Sequence, residues 1–144
     1  MWGQHLELYL KIKTKGIKMN KMLIVEDDDL TIDLMRRIFR NDFEILICDS
    51  IEEFYDKYSN KNVDIIIMDI SLKGDKNGLD LIKEIKASLS YTGTPILCLT
   101  AHAQPKMRET AIESGADLFI TKPVSNKVLK EAVIFLLKSE IVQK

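Results

Sequence analysis

The stretch Ile65-Ile66-Ile67-Met68-Asp69-Ile70-Ser71-Leu72-Lys73-Gly74 decides the reading of this chain, because an unbroken aliphatic run ends on a single carboxylate. A strand with one face in water alternates apolar and polar residues, whereas a strand covered on both faces reads as a continuous apolar run. The run therefore belongs in the middle of a parallel sheet with helices on either side. A charge at the tip of such a strand is costly to hold unless it has partners or a task there.

Outward from this strand the pattern repeats. Short runs that are apolar at heart occupy Met22–Val25, Glu44–Cys48, Val63–Met68, Pro95–Leu99 and Ala116–Ile120, which predicts five strands. Between them lie segments of helical period. Leu30, Leu34, Met35, Ile38 and Phe39 share one face, as do Ile51, Phe54, Tyr55 and Tyr58, and Val128, Leu129, Ala132, Val133, Leu136 and Leu137. Asp29, Ser50 and Ser125 suit N-caps, with Ser50 and Glu53 spaced as a capping box, and Gly115 suits a helix stop after Ile112. A third helix is expected over Leu79–Leu89, between Gly78 and the turn at Gly93, and a fourth, with a thin apolar face, from near Pro105. Five βα units in succession imply right-handed crossovers and an α/β, flavodoxin-like doubly wound fold: a five-stranded parallel sheet in the order 2-1-3-4-5 with five helices.

The bulk numbers agree with one domain. At 144 residues, 46% apolar and 30% charged, the chain is long enough for a single core, and no apolar run approaches the roughly 20 residues of a membrane helix. A formal charge of -1 gives no general pull toward nucleic acid. Cys48 and Cys98, each inside an apolar run, read as buried free thiols, and the chain start lacks a signal-peptide pattern, so a reducing, cytoplasmic setting is expected. Residues 1–20 carry about +3 against about -4 for the remainder. Within them Leu6, Leu8, Leu10 and Ile12 alternate with Glu7, Tyr9, Lys11 and Lys13, the period of a half-exposed strand. This N-terminal stretch reads as an extra edge strand, the remnant of an upstream domain or a disordered extension, with a remnant or extension favoured over an integral element, joined through Gly16–Asn20 to the main domain over 21–144.

In open α/β sheets, ligands sit beyond the carboxyl ends of the strands. There the sequence places Glu26-Asp27-Asp28-Asp29 after strand one, Asp69 after strand three, Thr100-Ala101 after strand four and Lys122-Pro123 after strand five. A helix N-terminus welcomes acid, which accounts for Asp28 and Asp29. Glu26, Asp27 and Asp69 need another reason: carboxylates from adjacent strand tips repel unless a cation neutralises them, and hard oxygens without clustered His or Cys select Mg²⁺ or a similar ion. Lys122 and Thr100 supply the positive charge and hydroxyl that would bind phosphoryl oxygens.

With these motifs in this order, residues 21–140 resemble the receiver domain of two-component response regulators. The resemblance rests on Glu26-Asp27 after MLIV, Asp69 after DIIIM, Thr100-Ala101 after PILCL and Lys122-Pro123 after DLFIT. It implies that Asp69 is the phosphoacceptor, taking a phosphoryl group from the phosphohistidine of a histidine kinase or phosphotransfer protein. It implies Mg²⁺ bound by Asp27, Asp69 and the Ser71 backbone carbonyl, with Glu26 acting through water. Lys122 would pair with the phosphoryl group beside a cis Lys122–Pro123 bond, Thr100 and Phe119 would form the switch, and Ser71 and His102 resemble positions that tune phosphoryl lifetime in the family, His102 reading equally as a solvated loop histidine. A downstream protein effector would read the surface of the fourth helix, fifth strand and fifth helix, without direct nucleic-acid contact; homodimerisation is left open.

The sequence departs from the family pattern at Lys73, where proline is usual, at Gly78, one residue late, and at Phe119, where tyrosine is common. Other readings are a receiver module of a hybrid histidine kinase and a pseudo-receiver that binds partners without phosphorylation. A haloacid-dehalogenase-type phosphatase needs a second Asp two residues after the nucleophile, where Ser71 stands. A flavin phosphate would meet an acidic loop after strand one.

Overall fold

The computed structural model describes residues 19–72, 77–101 and 104–143. The alternating segment over 5–13, Lys73 and His102 lie outside the described residues.

Five strands form one parallel sheet: β1 Asn20–Val25, β2 Phe43–Cys48, β3 Ile65–Met68, β4 Ile96–Thr100 and β5 Leu118–Thr121, in the order β2-β1-β3-β4-β5. The helices are α1 Asp29–Phe39, α2, which begins as the α-helical turn Ile51–Glu53 and runs on as the π-helical segment Phe54–Tyr58, α3 Gly78–Ala87, α4 Met107–Ser114 and α5 Asn126–Gln143. This is the doubly wound α/β arrangement expected from the alternation of runs and helices. β1 starts earlier than the apolar run suggests, because Asn20 and Lys21 pair with Phe43 and Glu44, so part of the expected linker is strand.

The sheet separates two cores. Met22, Ile24, Ile65, Ile67, Leu97 and Leu99 face α1 and α5. Their neighbours Leu23, Val25, Ile66, Met68, Ile96 and Cys98 face the α2–α4 side, which is why the runs show no polar alternation. Both thiols are free and buried, as the sequence implies.

Several boundaries shift for local reasons. The N-cap of α1 is Asp28, not Asp29: its side chain accepts hydrogen bonds from the Thr31 backbone N–H and hydroxyl. Ser50 and Ser125 do cap, accepting from the backbone N–H groups of Glu53 and Val128, but the Glu53 carboxylate reaches back to Asp49 N rather than to Ser50. α3 is capped by Asn77 in a reciprocal box with Asp80. α4 begins two residues after Pro105. The predicted apolar face of α1 needs correction. Leu30 and Leu34 are 80% and 47% exposed, and the inward set is Ile32, Met35, Ile38 and Phe39, because the sheet covers only one side of the helix. Among the described residues no helix is long and apolar enough to cross a membrane.

Candidate metal centre at the carboxyl edge of the sheet

Backbone hydrogen bonds extend the sheet past the strand ends and fix the functional residues in register. Glu26 N donates to Cys48 O at 2.9 Å, Asp69 N to Val25 O at 3.0 Å and Lys122 N to Thr100 O at 2.8 Å. The residue after each strand is thus still held by the neighbouring strand, so its side chain has little freedom to wander. Glu26 and Asp69 are buried, Asp27 is half-buried, and one carboxylate oxygen from each lies within 4.8 Å of the others.

Hard oxygen donors at this spacing fit a Mg²⁺-type ion, which accepts carboxylates together with waters and phosphoryl oxygens. The electrostatics point the same way. Burial, followed by the hydrogen bond and charge of neighbouring Asp69, outweighs Lys122 and raises the Glu26 carboxyl to about 7. A corner that resists holding its negative charge is one that a divalent cation relieves.

Lys122 stands at the cis Lys122–Pro123 bond expected from the sequence. Its ammonium donates to Glu26 Oε1 at 2.7 Å and to Thr31 Oγ1 at 3.4 Å. It therefore rests on Glu26, on the β1 side of the corner. The other Glu26 oxygen accepts from the backbone N–H groups of Asp27 and Asp28 at 3.2 and 3.4 Å. On the opposite side, Asp69 Oδ1 accepts from Ser71 N at 3.1 Å and from the Ser71 hydroxyl at 3.2 Å, and Ser71 Oγ lies 3.3 Å from Thr100 Oγ1. Thr100 is fully buried. Phe119 is buried in β5 among residues of the α2–α4 core, together with Ala111 of α4.

Two contributors escaped the sequence reading. Thr31 carries no signal beyond its place in the first turn of α1, yet it links the Asp28 cap to Lys122. Gly78 looks like a misplaced loop glycine; in the structure a Cβ there would lie 2.2 Å from Asp69 O and 2.9 Å from Ile70 Cα, so only glycine lets α3 start against the acceptor strand.

The family model for the response regulator receiver domain matches residues 22–134. The chain belongs to the response regulator receiver family. As a receiver domain it is a signalling module of two-component systems; such domains bind Mg²⁺ at an acidic pocket, and here Glu26, Asp27 and Asp69 form an acidic cluster. It is 31% identical over 119 residues to regulatory protein VanRB of Enterococcus faecalis, covering 82% of this chain and 52% of the relative. The receiver thus spans about half the length of that protein. It is 30% identical over 118 residues to a chemotaxis protein CheY homologue of Campylobacter jejuni, covering 77% of this chain and 87% of the homologue. Among solved structures, a putative response regulator from Chloroflexus aurantiacus superposes with a TM-score of 0.78 at 28% identity, over 84% of this chain and 99% of that one.

Proposed function

We propose that residues 21–144 form a phosphoacceptor receiver in which Asp69 takes a phosphoryl group from the phosphohistidine of a histidine kinase or phosphotransfer protein. An Asp69 Oδ atom forms the new bond to phosphorus as the bond from phosphorus to the imidazole nitrogen breaks, the electron pair returning to the ring. Asp27, Asp69 and the Ser71 backbone carbonyl are the proposed ligands of Mg²⁺, with Glu26 acting through water. When bound, the ion supplies charge neutralisation between the carboxylates and the incoming phosphoryl oxygens. Lys122 leaves Glu26 to pair with the transferred group, and Thr100 donates its hydroxyl to it.

The carrying observation is the meeting of Glu26, Asp27 and Asp69 within 4.8 Å, with Lys122 already on one of these carboxylates. Phe119 and Thr100 lie on adjacent strands, and the former packs in the core shared with α4. We assign them the switch: movement of Thr100 toward the phosphoryl group shifts the population of the α4–β5–α5 surface, which a downstream protein effector reads. α4 suits this role, since of its eight residues only Ala111 and Ser114 are buried. The reading places the domain in the cytoplasm.

The test is intact-mass spectrometry after incubation with acetyl phosphate and Mg²⁺. The wild-type chain gains one phosphoryl group, and Asp69→Asn gains none; labelling retained in Asp69→Asn would show that the acceptor is another residue. Lys122→Ala is expected to lose most of the phosphorylation-dependent change in NMR spectra, and an unchanged response would remove Lys122 from the switch.

A further inference from the structure

We propose that Ser71 is a positioning residue whose hydroxyl latches Thr100 in the resting state, so that Thr100 must break this bond before it can serve a phosphoryl group on Asp69. The latch deepens the phosphoacceptor reading and rests on it for its functional consequence, while its structural half stands on the contacts alone.

The argument is one of counting protons. Ser71 Oγ lies 3.2 Å from Asp69 Oδ1 and 3.3 Å from Thr100 Oγ1. A carboxylate only accepts, so the single Ser71 proton is spent on Asp69. The bond between the two hydroxyls then has one polarity: Thr100 O–H donates to Ser71 Oγ. The result is a directed chain, Thr100 to Ser71 to Asp69, in which the Thr100 proton already points toward the acceptor through an intermediary. The Ser71 backbone N–H, 3.1 Å from the same Asp69 oxygen, fixes the short turn that makes the side-chain contact possible.

Thr100 has one proton, and a phosphoryl oxygen on Asp69 competes for it. Burial sharpens the competition, because Thr100 is fully buried and Asp69 only 7% exposed, so water does not readily replace a lost partner. Phosphorylation also turns the Asp69 carboxylate into an acyl phosphate, a weaker acceptor for Ser71. The chain then loses its anchor as the competitor arrives. Ser71 thus sets how much of the phosphoryl interaction is spent on releasing the switch.

The test compares Ser71→Ala with Ser71→Thr, which keeps a hydroxyl at the same atom. In the metal-free protein, three-bond couplings of the Thr100 methyl carbon to backbone N and C′ report its rotamer. They are expected to show one rotamer in wild type and Ser71→Thr, and a shifted rotamer distribution in Ser71→Ala. With Mg²⁺ and beryllofluoride as the phosphoryl mimic, loss of a hydrogen bond of ordinary strength tightens apparent affinity roughly five-fold in Ser71→Ala. Ser71→Thr stays near wild type. Unchanged Thr100 couplings in Ser71→Ala, or an affinity that is unchanged or weaker, would overturn the latch. Failure of the wild-type protein itself to bind beryllofluoride would instead overturn the phosphoacceptor reading, and the metal-free couplings would still decide whether Ser71 holds Thr100.

Discussion

The individual residues of the corner are in tension, and that tension is measurable. The Glu26 carboxyl is raised to about 7 by its burial and by Asp69, so the fold favours its protonated form relative to the unfolded chain. Its contribution to stability is therefore full below the unfolded value of 4.5 and is lost as pH rises through about 7. In chelator, denaturant unfolding should show the wild-type chain losing stability relative to Glu26→Gln across this window. Added Mg²⁺ should narrow this pH-dependent gap by neutralising the charge on Glu26; parallel pH profiles would contradict the assignment. Gly78→Ala places a methyl against Asp69 O and Ile70 Cα, both backbone atoms, and should cost about 1–3 kcal/mol. It should also slow Asp69 labelling, while an unaffected rate would show that the acceptor strand yields freely. At this scale the acidic tips, the strand-end threonine and the lysine were legible because each follows an apolar run whose direction is fixed. The resting partners were not. That Lys122 sits on Glu26 and Thr31, and that Ser71 bridges Asp69 and Thr100, depends on ångström-scale geometry with no periodic trace in the sequence.

The elements are stopped and started by identifiable side chains. Asn77 accepts from the backbone N–H groups of Leu79 and Asp80 while Asp80 accepts from Asn77 N, so Asn77→Ala should cost about 1 kcal/mol by chemical denaturation. Gly115 ends α4 at φ +118°, where a Cβ would also meet the Lys86 side chain at 2.7 Å. Gly115→Ala should cost about 1–3 kcal/mol, mostly from backbone strain, because Lys86 is flexible enough to move aside. A loss below a few tenths would mean that the α4 end relaxes easily. Gly115 was readable as a stop because glycine after a helical pattern has few other uses. The Asn77 cap left a weaker trace, because Asn before Gly signals a turn as readily as a helix start. The face of α1 was misread for a different reason: Leu30 and Leu34 repeat at helical spacing, but a stripe shows only that residues share a side, not that the side meets the sheet.

For the molecule as a whole, two cores pack against opposite faces of one sheet, and a single domain of this size is expected to unfold as one cooperative unit. Burial raises the thiols of Cys48 and Cys98 to about 12, so neither forms a thiolate near neutral pH in the folded state. Alkylation should therefore be slow for both and should accelerate together across the unfolding transition; prompt labelling of one thiol alone would reveal local opening of its strand. The topology was the most legible feature, because continuous apolar runs separated by helical segments leave few arrangements compatible with right-handed crossovers. Function followed from where that topology gathers carboxylates, and the central claim is that this gathering prepares Asp69 to carry a phosphoryl group. The most direct measurement is a crystal structure with Mg²⁺ and beryllofluoride. The account predicts the fluoride adduct on the Asp69 carboxylate, the cation between Asp27 and Asp69, and Lys122 moved from Glu26 onto a fluorine. An adduct on another side chain, or a corner that binds neither ion under those conditions, would contradict it.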